Sequence, residues 1–203
     1  MNKLHKSNRS AIIWTDDEID KVCEHASEQL QWTIRLEALS GMRTGDLVTV
    51  PWSAVQSNRI QVRTSKNEVY VDIPITSDLE LLLSQIPKVA TTIVTNTKGH
   101  PWTKDGLKTM WGRAMKKSGV KGKHFHDLRG TAATKLCLIG LNDNQIAAII
   151  GWKPGRVAEI RARYVDREVI VQGVIDQIEE NKDRTKTVNR GVNRAKEQDK
   201  NGL

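Results

Sequence analysis

Cysteine is almost missing from this chain of 203 residues: Cys23 and Cys137 are all it has. Two thiols so far apart give neither a disulfide framework nor a zinc set. No apolar run is long enough to cross a bilayer. The opening Met1-Asn2-Lys3-Leu4-His5-Lys6 carries charge with no apolar stretch behind it, which is not the pattern of a secretory signal. No internal repeat is visible. These gaps argue against a stapled secreted fold, a structural zinc fold and a membrane span, and a reducing cytoplasm is the expected setting. Tyrosine is as scarce as cysteine, with only Tyr70 and Tyr164.

What is present suits one domain of ordinary size with a real core. Net charge is +8, but Asn181–Leu203 carries seven Lys/Arg against three Asp/Glu and so supplies +4 by itself. Residues 1–180 supply the other +4 and are only modestly basic. Any DNA footprint must therefore come from where charges sit rather than from their sum.

Residues 1–12 read as a polar linker or arm. Thr15-Asp16-Asp17-Glu18 is a capping box ahead of an apolar stripe of Ile19, Val22, Cys23, Ala26 and Leu30. A second helix passes through Trp32, Leu36 and Leu39 and breaks near Gly41. Arg59–Arg63 and Val69–Ile73 alternate around a polar turn, which predicts a hairpin. Ser77 to Glu80 reads as another capping box, and Thr91 to Thr95 as a third strand. Thr103 caps a helix ending at Gly119, and Leu128, Ala132, Leu136 and Ile139 mark the next, closed by Gly140. Asn142 to Gly151 and a helix opened by Pro154 and bearing Val157, Ile160 and Tyr164 follow. Val169–Ile178 is one more apolar periodic run, and disorder is expected from Asn181 on. The fold class is mainly α with one small antiparallel sheet.

The richest stretch for chemistry is His124-Phe125-His126-Asp127-Leu128-Arg129-Gly130-Thr131. His126 can pass a proton near neutral pH, and Arg129 offers a fixed fork of donors that fits two oxygens of one phosphate. A partly buried histidine beside a surface arginine is the bland alternative. Arg43, in Gly41-Met42-Arg43-Thr44-Gly45-Asp46-Leu47, could grip the same phosphate and stabilise a five-coordinate transition state, with Asp46 holding it. A surface Arg–Asp pair explains that tetrad equally well. Lys66, at the hairpin tip, could protonate a leaving alkoxide, though lysines there commonly serve solubility. Tyr164 needs nearby positive charge to act as a nucleophile, and Arg161, Arg163 and Arg167 surround it in sequence; it could equally close the stripe of Val157 and Ile160. Trp152 could fill core or donate its indole N–H. His124 and His126 lack further ligands for a metal.

Taken in order, these pieces resemble the tyrosine recombinases, also called phage integrases. Gly41–Leu47 looks like the family's first-arginine box. Lys66, with Ile73-Pro74-Ile75 eight residues on, looks like its hairpin lysine. His126-Asp127-Leu128-Arg129 with Gly130-Thr131-Ala132 matches its most specific motif. Ile150-Gly151-Trp152 stands where most members have His and some have Trp, and Tyr164 falls where the nucleophile belongs. The resemblance runs from about Ile12 to about Ile178. Trp152 and Tyr164 are twelve apart, more than the family's usual spacing by about one turn of ~3.6 residues.

The resemblance implies the DNA breaking-rejoining catalytic fold over residues 13–180, between an arm (1–12) and a basic tail (181–203). It implies that Tyr164 attacks a DNA phosphate to form a 3′-phosphotyrosyl link and release a 5′-hydroxyl. Arg43 and Arg129 would clamp the non-bridging oxygens, Lys66 protonate the departing oxygen, His126 assist proton transfer, and Trp152 add a hydrogen bond or packing. No cofactor or metal is implied. The implied partners are double-stranded DNA, a homo-tetramer joining two duplexes, and accessory DNA-bending or directionality proteins, in a bacterial or phage-encoded cytoplasmic setting. The family's usual N-terminal helical domain closes a clamp on DNA; only a dozen residues precede the matching portion here, so weak DNA affinity is expected. A decayed integrase kept as a DNA-binding protein and a nicking-closing topoisomerase are the alternatives.

Overall fold

The structure is a computed structural model that describes residues 12–65, 68–164 and 175. Its elements in chain order are α1 (Asp16–Cys23), α2 (Glu28–Ser40), the one-turn α3 (Thr44–Leu47), a 3₁₀ turn (Trp52–Ala54), β1 (Arg59–Arg63), β2 (Tyr70–Pro74), α4 (Ser77–Gln85), α5 (Lys104–Ser118), α6 (Asp127–Leu138), α7 (Asp143–Ile150) and α8 (Pro154–Tyr164). The expected class, helices with one two-stranded antiparallel sheet, is what these residues form. In the sheet Ile60 faces Ile73 and Val62 faces Val71, so one face of the ribbon is apolar and buried.

Local signals fix most boundaries. Thr15 and Glu18 make both bonds of the capping box at α1, and Asn142 and Gln145 make both at α7. Thr103 caps α5 by accepting from the Gly106 N–H. The helices α2, α5 and α7 each run into a glycine in the left-handed region, at Gly41, Gly119 and Gly151.

Three expectations are corrected. At α4 the cap is Thr76, one residue earlier than expected, and its hydroxyl accepts from the Leu79 N–H. Thr91–Thr95 makes only isolated bridges, Thr92 with Pro51 and Thr95 with Pro101. Both partners are prolines, which have no N–H to give a ladder, so no third strand can propagate. On α6, Ile139 is exposed and Cys137 is buried in its place, because the helix stops at Leu138 and the chain turns away. Apart from Ile175, the run Val169–Ile178 and the tail lie outside the described residues.

The core is in two parts. The larger gathers α1, α2, the hairpin, α4 and α5 around Leu30, Ile34, Leu36, Ile60 and Leu107. The smaller joins Ala132, Ala133 and Cys137 of α6 to Ile146 and Ile150 of α7 and Val157 and Ile160 of α8. Leu128 at the start of α6 belongs to the larger part, so α6 stitches the two together. A Cβ placed on Gly41 would stand 3.1 Å from Ile150 Cδ1 and 3.2 Å from Ala132 Cβ. The ends of α2 and α7 therefore meet against α6, and the motif residues collect at that junction.

Candidate active site

Arg129 is 2% exposed, although it carries a permanent charge. It is satisfied by backbone: Nη1 donates to the Gly41 carbonyl at 2.7 Å and Nη2 to the Ile150 carbonyl at 2.5 Å. Those carbonyls end α2 and α7, where the last C=O groups lack helical partners and the helix dipole is negative. Two helix termini thus form the seat of one guanidinium. Burial, and then the charge of Arg43, lower its pKa to about 9, while Glu37 and Asp46 act the other way. It remains a cation at neutral pH.

Arg43 reaches the same place from the loop before α3. Its Nη2 donates to the Gly151 carbonyl at 3.1 Å, one residue beyond the carbonyl that holds Arg129. Its Nη1 lies 3.9 Å from Asp46 Oδ2, and although buried it makes no hydrogen bond. Asp46 is no surface partner: it is 4% exposed, and its Oδ1 accepts from the Ser65 N–H at 2.9 Å. One carboxylate thereby ties the Arg43 loop to the base of the hairpin turn.

The turn ahead of α6 is held from behind by aromatic packing. Phe125 meets Trp111 edge-on at 5.1 Å, and Trp111 meets Trp14 at 5.5 Å. Trp14 donates its backbone N–H to Thr131 Oγ1 at 2.9 Å and its indole N–H to the His124 carbonyl at 3.2 Å. The Asp127 carboxylate accepts from the His124 N–H at 2.6 Å, closing the turn. His126 is left exposed as the N-cap of α6 without a capping bond. Partial loss of hydration, followed by the charges of Arg129, Arg156 and Arg43, pulls its pKa below the ordinary histidine value; Asp127 opposes this. Its imidazole is neutral at pH 7.

Trp152 is half-buried, with the Arg129 guanidinium 5.3 Å from its ring centre and the Arg156 guanidinium 4.7 Å from it. Beneath the arginines lies Glu37 of α2, fully buried, its carboxyl reached by Thr44 Oγ1 at 3.4 and 3.5 Å. Burial holds its pKa well above the usual carboxylate range, against the pull of Arg129 and Thr44. Asp46 stands 3.9 Å from the Arg43 guanidinium and also acts on Arg129. Three guanidinium groups, those of Arg43, Arg129 and Arg156, gather at this junction, a setting suited to an anionic ligand.

The fold therefore brings Arg43, Asp46, His126, Arg129 and Trp152 to one junction from three separate stretches of sequence. Lys66 lies outside the described residues. Tyr164 ends α8, which starts beside Trp152, and its side chain likewise lies outside the described set. Sequence reasoning missed Glu37, Arg156 and the carbonyls of Gly41, Ile150 and Gly151. A glutamate at the centre of the apolar stripe of α2 was the available signal for the first; backbone acceptors leave none. Among the described residues no three His, Cys, Asp or Glu side chains are grouped to hold a metal ion, and no helix is long and apolar enough to cross a membrane.

Residues 13–170 match the phage integrase family. The chain is 26% identical over 160 residues to the integrase of Enterobacteria phage 434, covering 71% of this chain and 45% of that protein. It thus spans less than half the length of that relative. The lambda integrase catalytic core superposes with a TM-score of 0.59 at 25% identity, over 68% of this chain and 90% of that one. A lambda integrase tetramer bound to a Holliday junction gives 0.64 at 24% identity, over 76% and 49%. The fold defines the class: a mainly α domain with one two-stranded hairpin, in which two arginines meet at the end of α7. The chain belongs to the phage integrase family.

Proposed function

We propose that this chain is the catalytic portion of a site-specific DNA recombinase that breaks and rejoins a strand through a 3′-phosphotyrosyl link. The observation that carries the reading is the convergence of Arg43 and Arg129 on adjacent carbonyls at the end of α7, with a buried donor of Arg43 lacking a protein acceptor. Two guanidinium groups fixed that closely suit the two non-bridging oxygens of a phosphodiester and the extra charge of its five-coordinate transition state.

In this mechanism the Tyr164 oxygen forms a bond to phosphorus as the bond from phosphorus to the 5′-oxygen breaks. The phenol proton passes to a base, for which the neutral imidazole of His126 is suited, and Lys66 donates a proton to the departing 5′-oxygen. Trp152 packs against Arg129 and keeps its fork aimed. A 5′-hydroxyl from a second strand then attacks the phosphotyrosine and releases Tyr164. The covalent link conserves the energy of the broken bond, so rejoining needs no nucleotide. The DNA-bound lambda integrase tetramer motivates the same arrangement here: four subunits on two duplexes, with accessory proteins setting direction, in a bacterial or phage-encoded cytoplasmic setting.

The test uses a library of nicked duplexes in which cleavage releases a short fragment and traps the enzyme. Members linked covalently to the full chain are recovered under denaturing conditions and sequenced. Adducts with the wild type and none with Tyr164→Phe are expected. A wild type that binds duplexes yet never forms an adduct refutes the enzyme and leaves a binding protein.

A further inference from the structure

Among the described residues, Arg156 is a cation at this junction that the reaction above does not use. It lies in the first turn of α8, two residues after Pro154, with an exposed side chain. That is the unfavourable end of a helix for a positive charge, because the free N–H groups already make it electropositive. No carboxylate among the described residues pairs with it; the acids of α7 and α8 offer Asp143, which binds Arg161, and Glu159, which forms no ion pair with it. Instead it stacks on Trp152 at 4.7 Å, with Arg129 at 5.3 Å from the same ring centre, so the two guanidinium groups are at most about 10 Å apart.

A third positive group beside the guanidinium groups of Arg43 and Arg129 works against the folded chain unless an anion completes it. Arg43 and Arg129 are withdrawn into the protein and held by backbone carbonyls, whereas Arg156 keeps its donors in the open. Its field reaches both His126 and Arg129.

We propose that Arg156 grips the DNA backbone phosphate next to the one held by Arg43 and Arg129, with the Trp152 indole spacing the two contacts along the strand. The proposal rests on the DNA-cleaving reading of the same pocket. It makes Arg156 a substrate-positioning residue and gives α8 a role in tracking the strand as well as in carrying Tyr164.

Binding of the full chain to a captured nicked duplex is measured across a salt series for the wild type, Arg156→Ala and Arg156→Lys. Loss of one phosphate contact lowers the slope of log affinity against log salt by about 0.9 and weakens binding roughly tenfold in the Ala variant. Arg156→Lys restores the slope. Single methylphosphonate linkages are then placed one at a time beside the cleavage position. One such neutral linkage weakens the wild type but leaves Arg156→Ala unaffected, which a mere prop for Trp152 does not produce. Equal slopes for wild type and Ala variant, or a loss in the Ala variant that no single neutral linkage absorbs, overturns the proposal while adduct formation still stands. A wild type forming no adduct overturns the parent reading first.

Discussion

Gly151→Ala tests how the site is built, and its cost can be worked from the structure. Gly151 has φ +69, where a side chain costs roughly 1–2 kcal/mol for its left-handed backbone alone. Its new Cβ would stand 2.9 Å from Val71 Cγ1, 3.5 Å from Thr64 Cγ2 and 3.9 Å from Arg43 Nη1. Val71 is buried on β2 and β-branched, so it cannot swing aside, and overpacking of this kind costs about 1–3 kcal/mol. The sum, about 2–5 kcal/mol, should appear as a lower urea midpoint at unchanged slope. Part of it is repulsion against one methyl, so Gly151→Ala combined with Val71→Ala should cost less than the two single changes added together. Strict additivity, or a cost below about 0.5 kcal/mol, refutes the close approach of α7 to the hairpin. Adduct formation should fall further than the folded fraction does, because displacing Gly151 also moves the carbonyls that aim Arg43 and Arg129.

Other outcomes follow from the same geometry. Arg129→Lys should abolish the covalent adduct and cost about 1–3 kcal/mol in urea unfolding, since one ammonium replaces a fork bridging two buried carbonyls and at least one is left unpaired. Glu37 has a folded pKa raised above its unfolded value, so the stability it allows is complete below the ordinary carboxylate pKa and is lost as pH rises through the raised one. Urea midpoints of Glu37→Gln should therefore gain on the wild type as pH rises from 4 to 8; a gap independent of pH contradicts a buried neutral acid. The acid limb of the cleavage rate should fall below the ordinary histidine pKa of about 6.5. Removing a positive neighbour with Arg156→Ala should move that limb, and the His126 NMR titration, upward.

Fold and site were legible in the sequence to different depths. Capping boxes at Thr15 and Asn142 and glycine stops at Gly41, Gly119 and Gly151 are local rules acting through neighbouring atoms, so α1, α2, α5 and α7 could be read directly. The strand expected at Thr91–Thr95 failed because its apolar character was real but its partners were prolines, one 41 residues back and one just past the next turn. At the site the residue types could be read, yet their support could not. Asp46 looked like one half of a surface pair and is a buried brace to the hairpin; Arg129 owes its position to carbonyls that every residue possesses. Backbone acceptors leave no letter in a sequence, and a charge shared across two helix ends has no spacing to detect.

The Trp14 contacts have a mechanical side. One residue is fastened at both its backbone and its ring to the stretch that bears His126, and Lys123 bonds in addition to the Ile13 carbonyl and to Glu18. Tension applied to the chain ahead of Trp14 has only this short, stiff lever between it and the His126 imidazole.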